Sequence, residues 1–237
     1  MNSFPRIPLF LINFCWIAAL NATPIVVPPG LNPGDSYRLV FVTSTTRDAT
    51  SANLADYDTF VNLAATSIPE LAALGTTWSV IGATLTMNAS DHLGGSPAPI
   101  YNLGGLLVAN GMGGPTGLFG GLGGSIQHMI DYQENGQSIF AVKVWSGTNP
   151  ANGDRTTTPL GGGIGLSSTL ASFGTIDNNC CAFQWLANSS EAYTLEHRFY
   201  GISGILTVPN STPEPNSAFA VILGLVAICH RRLGLKG

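Results

Sequence analysis

Charge is scarce in this chain. Lys, Arg, Asp and Glu together make up 9% of its 237 residues, against about 25% in an ordinary soluble domain. Between residues 23 and 215 the basic side chains are Arg38, Arg47, Lys143, Arg155 and Arg198. All 13 acidic residues lie in the same stretch, which leaves it at −8. A sparsely charged, acidic surface repels phosphate backbones, so nucleic-acid binding is excluded. Cysteine is scarce as well. Of the four, Cys15 and Cys229 sit in apolar terminal runs, and Cys180 and Cys181 are neighbours. Adjacent Cα atoms lie ~3.8 Å apart, below the ~4.4–6.8 Å of ordinary disulfides. A bridge between them is a strained small ring that staples nothing distant, so the fold must rest on its apolar core. A vicinal disulfide, a metal pair and two thiols, in a loop or bridging molecules, all stay open.

The signatures of catalysis are also missing. No Gly-x-Ser-x-Gly elbow frames a nucleophile. The glycine-rich stretch from Leu103 to Gly124 has no Gly-Lys-Ser/Thr, so it is not a phosphate-binding loop. His92, His128 and His197 are far apart and in no metal-ligand spacing, which reads as surface or packing histidine. Asp56 and Asp58 are two apart on a helix and do not face each other, which reads as a solvated face. A non-enzyme is expected. The best ligand candidate is the set Asn149, Asn152 and Asp154, whose oxygens near glycine suit calcium with its ~6–8 oxygen ligands. The same residues are good turn formers. Asp177-Asn178-Asn179 carries the same two readings.

The ends carry the strongest signals. Arg6, an uncharged apolar run from Ile7 to Leu20, and the small-residue exit Leu20-Asn21-Ala22 are the three parts of a secretory signal. Cleavage is expected after Ala22, by signal peptidase in the general secretion pathway. A membrane anchor needs ~20 apolar residues; the run is shorter and contains Asn13. Cys15 follows bulky Phe14 in mid-run, unlike a lipoprotein cysteine. At the other end, Pro213-Glu214-Pro215 precedes an apolar segment from Ala218 to Cys229, then His230-Arg231-Arg232 and Lys236. The prolines stop upstream structure from running on. Arg231, Arg232 and Lys236 place the end of a helix over 217–230 on the cytoplasmic side. A lipid-anchor signal of the eukaryotic type ends in its apolar tail, without basic residues after it. The sequons at Asn88, Asn188 and Asn210 would carry glycans only in a eukaryotic secretory pathway.

Pro-Glu-Pro, apolar helix and Arg-Arg at the C-terminus resemble the PEP-CTERM sorting domain over about Thr212 to Gly237. The resemblance implies recognition of Pro213, Glu214 and Pro215 by an exosortase, in bacteria that make extracellular polysaccharide. The expected organisation is a signal peptide over 1–22, one exported domain over 23–212, and a sorting tail over 213–237. The tail would span the inner membrane transiently, and the domain would reach the cell envelope, the surface or the medium.

Within the domain, Tyr37 to Thr43 is apolar on both faces and bounded by turn residues, which predicts a buried central strand. Leu54, Tyr57, Val61 and Ala64 recur at near-helical spacing and predict a helix over 52–65. Ser67-Ile68-Pro69-Glu70 predicts a capping box for a short second helix closed by Gly75. Trp78–Thr86, Ser138–Trp145 and Phe199–Val208 read as strands. Residues 88–127 read as a long irregular excursion, partly mobile, and Gly161 to Phe173 as a glycine-rich connection. The class is α+β, with a mixed, mostly antiparallel sheet, two N-terminal helices, long glycine-rich loops and a C-terminal transmembrane helix. The order resembles the C-type-lectin-like fold and its endostatin-like relatives, carried by Leu39–Ser44, the helix pair, Val144–Thr148 and Phe199-Tyr200. That resemblance implies paired first and last strands. It also implies a second reading of function: a carbohydrate- or ligand-binding module, calcium-dependent or not. An exposed Trp145 or Trp185 beside the Asn149–Asp154 loop would support that reading, and burial of both would count against it.

Overall fold

The computed structural model describes residues 23–120, 126–177 and 183–210. Its centre is β1 (Ser36–Val42), buried at every position but the first. Alternation splits its side chains between two cores. Tyr37, Leu39 and Phe41 join one apolar cluster; Val40 and Val42 join the other. A strand buried on both faces reads as a continuous apolar run, and this one does.

The first face is covered by α1 (Leu54–Thr66), which buries Leu54, Tyr57, Val61 and Ala65. These lie three to four residues apart, on one face of a helix. Asn53 caps it: its side chain accepts the Ala55 N–H at 3.2 Å. The capping box expected at Ser67 does not form. Ser67 is helical itself (φ −69°) and closes α1. Its hydroxyl donates to Ala64 O at 2.6 Å, and α2 (Pro69–Ala72) starts from Ile68 with no side-chain cap. The serine serves the free carbonyls of the helix behind it, not the free amides of the one ahead.

The remaining strands are β2 (Trp78–Val80), β3 (Ile100–Asn102), β4 (Leu107–Ala109), β5 (Val142–Trp145), β6 (Leu170–Ile176), β7 (Ser189–Ala192), β8 (Arg198–Ser203) and β9 (Leu206–Thr207). They form one sheet in the order β4-β3-β1-β8-β5-β6-β7, with β2 added to β8 and β9 to β1. β1–β3 and β5–β8 are parallel; the other six described pairs are antiparallel. An α+β chain with a mixed sheet and few helices is what the pattern predicts. β1 also pairs with the last long strand, with Val40 opposite Ile202.

The expected strand over 78–86 stops at Val80, the one over 138–145 begins at Val142, and the closing strand divides into β8 and β9. The excursion over 88–127 is corrected too. It contains α3 (Ala89–Leu93), β3 and β4, and most of its described apolar residues are buried, Leu106 excepted. Val108, Met112, Leu118 and Phe119 lie with Ile126 and Ile130 in the second core, against Val40 and Val42. The glycine-rich stretch thus covers the sheet face that α1 leaves bare. β6 and β7 replace part of the expected glycine-rich connection and the unassigned stretch after Trp185.

Among the described residues no helix is long and apolar enough to cross a membrane. The helix expected over 217–230 lies outside the described residues, as do Ala22, Cys180, Cys181, Pro213, Glu214, Pro215, Arg231, Arg232 and Lys236.

Candidate functional site

β5 and β6 are antiparallel neighbours, yet 24 residues separate Trp145 from Leu170. That connection holds the sequence-predicted ligand loop. Thr148 and Arg155 face each other across an antiparallel bridge, and Asn149 N–H donates to Asp154 O at 2.8 Å. The side-chain oxygens that suggest calcium are used inside the turn. Asn149 Oδ1 accepts the Ala151 N–H at 3.0 Å. Asn152 Oδ1 accepts the Asp154 N–H at 3.1 Å, and the Asn152 amide donates to Asp154 Oδ2. These are side-chain-closed turns, the reason Asn and Asp favour such places. Among the described residues no group of three His, Cys, Asp or Glu side chains is placed to hold a metal ion.

The chain then folds back. Thr156 N–H donates to Gly147 O at 2.9 Å, Leu160 N–H to Ala83 O at 2.8 Å, and Gly161 N–H to Ala49 O at 2.8 Å. Gly162 sits at φ +88°, and a Cβ there would lie 2.1 Å from Ser168 O. Only glycine permits so tight a return. The tip it creates projects apolar side chains into water: Ile164 is 77% exposed and Leu166 fully so. Between this tip and the Thr148–Arg155 hairpin lies an open groove of about 530 Å³, lined by Leu85, Arg155, Thr156, Thr157, Ile164 and Ser167. Small-molecule sites commonly occupy ~300–1,000 Å³. The Thr156 hydroxyl is engaged by Gly147 O and Ser172 Oγ. None of these groove residues entered the sequence-based candidate set. Their signal was Arg155 itself, a rare cation beside the residues chosen for calcium.

A second cluster lies on the sheet between β5, β7 and β8. Lys143 Nζ donates to Glu191 Oε1, and Glu191 Oε2 is 3.0 Å from His197 Nε2. The His197 ring lies against that of Trp145, with centroids 4.4 Å apart and planes tilted by 40°. The Lys143 hydrogen bond is the main influence holding the Glu191 carboxyl below the usual carboxylate range; desolvation opposes it and His197 assists. His197 is therefore a packing histidine with a carboxylate partner. Asp58, expected on a solvated face, is instead a connector. Its Oδ1 accepts the Val80 N–H at 2.8 Å and lies 2.9 Å from His92 Nε2, tying α1 to β2 and α3. Asp56 Oδ2 accepts the Ser51 hydroxyl at 2.6 Å, and His128 Nδ1 is 2.8 Å from Leu107 O. The three histidines are not brought together.

Trp145 and Trp185 are both buried. Trp145 packs edge-on to Phe173 and Trp185 lies against Tyr200. Neither offers a sugar-stacking platform beside the Asn149–Asp154 loop. The chain matches no protein-family model and no curated protein at a significant level.

Proposed function

We propose that this chain is an exported, non-enzymatic protein of the bacterial cell surface or extracellular matrix. It would be released by signal peptidase after Ala22 and handed to an exosortase through Pro213, Glu214 and Pro215. Its inner-membrane stage is transient, held by the apolar helix over 217–230 with Arg231, Arg232 and Lys236 on the cytoplasmic side. The observation that carries this reading is the pairing of a secretory-type N-terminus with a Pro-Glu-Pro, apolar, basic C-terminus in one chain.

The fold supports it in one respect. Gly34 N–H donates to Val208 O at 3.0 Å, and Val208 N–H donates to Asp35 O at 2.9 Å. Gly34 and Asp35, just before β1, therefore lie beside Val208, close to the last described residue before the tail.

The lectin-like alternative, placed at the Asn149–Asp154 loop, would use an exposed tryptophan as a platform or the loop's oxygens as a cage. Burial of both tryptophans counts against that alternative, and the closed turns at Asn149, Asn152 and Asp154 count against its calcium-dependent form. Intact mass spectrometry of protein recovered from the surface or medium of an exosortase-bearing host tests the main reading. The expected mass begins at Thr23 and ends near Pro213–Pro215. A recovered species that keeps Arg231 to Gly237 overturns exosortase processing and makes the tail a plain anchor.

A further inference from the structure

We infer that the groove between the Thr148–Arg155 hairpin and the Ile164–Leu166 tip binds a carboxylate-bearing saccharide, a uronic acid residue of an acidic polysaccharide. The inference does not depend on how the chain is exported or anchored.

It starts from the five basic side chains of the domain. Arg38 is buried, with its Nε on Ser203 O at 2.7 Å. Arg47 lies over the Tyr57 and Phe60 rings and donates to Asp56 O. Lys143 is on Glu191, and Arg198 donates to Thr43 O. Arg155 differs. Among the described residues its guanidinium has no hydrogen-bonding or ionic partner; only its backbone N–H is engaged, by Asn88 Oδ1 at 3.0 Å. It is exposed and lines the groove, and no carboxylate is among the groove's described lining residues. In a stretch that carries −8 between residues 23 and 215, a guanidinium with no partner among the described residues is the natural receptor for a carboxylate, which it can take with two parallel hydrogen bonds.

The rest of the lining selects a sugar. The Thr157 and Ser167 hydroxyls have no partner among the described residues, and each can donate one hydrogen bond and accept two. Leu85 and exposed Ile164 supply aliphatic surface. A uronic acid presents this combination: a carboxylate at one end, hydroxyls around the ring and a C–H face. An acidic peptide offers the carboxylate without the ring of hydroxyls. The hairpin fixes the Arg155 backbone through its bridge to Thr148 and the Asn88 contact, so the ordering cost on binding is confined to the arginine side chain.

The test is a calorimetric titration of the full chain with de-esterified oligogalacturonate. Parallel titrations use its methyl ester, which keeps the ring and loses the charge, and polyglutamate, which keeps the charge and loses the ring. Binding of the acid is expected to exceed that of the ester by roughly tenfold or more, the scale of one charge-assisted contact, and to exceed that of polyglutamate, which lacks the ring hydroxyls. Arg155→Met keeps the aliphatic stem and should reduce acid binding to the ester's level. Because the Arg155 side chain has no partner among the described residues, the variant's melting temperature should stay at the wild-type value. Thr157→Val with Ser167→Ala should weaken the acid and leave polyglutamate unchanged. Equal binding of acid and ester, equal binding of polyglutamate, an unaffected Arg155→Met, or no binding to the folded protein would each overturn the assignment.

Discussion

Ser203→Ala removes one oxygen from the centre of the sheet, and its consequence follows from two distances. Ser203 is fully buried at the end of β8. Its Oγ accepts the Leu39 N–H at 2.9 Å and donates to Gly204 O at 2.7 Å. Leu39 is also fully buried, so water cannot replace the lost acceptor. A buried donor stripped of its partner costs about 1–3 kcal/mol. A domain of this size shifts its melting temperature by about 2–4 °C per kcal/mol, so the expected fall is roughly 2–12 °C. Thermal unfolding followed by circular dichroism measures it, with urea unfolding as a check that the midpoint moves while the slope does not. Ser189→Ala, at an exposed edge position, is the matched control and should stay within about 0.5 kcal/mol of wild type. If Ser203→Ala melts with the control, the hydroxyl is not the acceptor that closes this end of the β1–β8 ladder, and the reasoning fails.

Three further outcomes follow. Gly174→Ala should destabilise the domain by well over 1 kcal/mol, because a Cβ there would sit 1.9 Å from Trp185 O; a wild-type urea midpoint would refute the close approach. Glu191 is depressed in the fold by Lys143 first. Its stabilising contribution is therefore complete above the unfolded carboxyl value of about 4.3 and is lost as pH falls through the lower folded value. The stability gap between wild type and Glu191→Gln should thus be widest near neutrality and narrow in acid, and a gap that widens in acid would sink it. Millimolar calcium should leave the melting temperature unchanged, since the oxygens of Asn149, Asn152 and Asp154 close their own turns; a calcium-dependent rise would restore the cation reading.

Much of the architecture is local and was legible. The unbroken apolar run from Tyr37 to Val42 allows only a strand buried on both faces. The spacing of Leu54, Tyr57 and Val61 sets which face of α1 is covered. Asn149, Asn152 and Asp154 read as turn formers, and the turn is what they make. What no window of sequence carried was anything that depends on two distant segments. β6 was hidden because Gly174 weakens a strand pattern, and the reason for that glycine is the Trp185 carbonyl on another segment. Met112, Leu118 and Phe119 looked like scattered apolar residues in a glycine-rich excursion, and became core only because the sheet face beside Val40 and Val42 had to be covered. Ser67 and Glu70 satisfy the capping pattern, but the ending of α1 claimed the serine first. The same division holds for chemistry. Composition alone established that the domain is acidic and poor in charge. Tertiary structure decided which cations were spent: it placed Lys143 against Glu191, 48 residues away, laid Arg47 on Tyr57 and buried Arg38. It left Arg155 without a side-chain partner among the described residues, at the edge of a groove, because side-chain partnership is set by proximity in space and not by order along the chain.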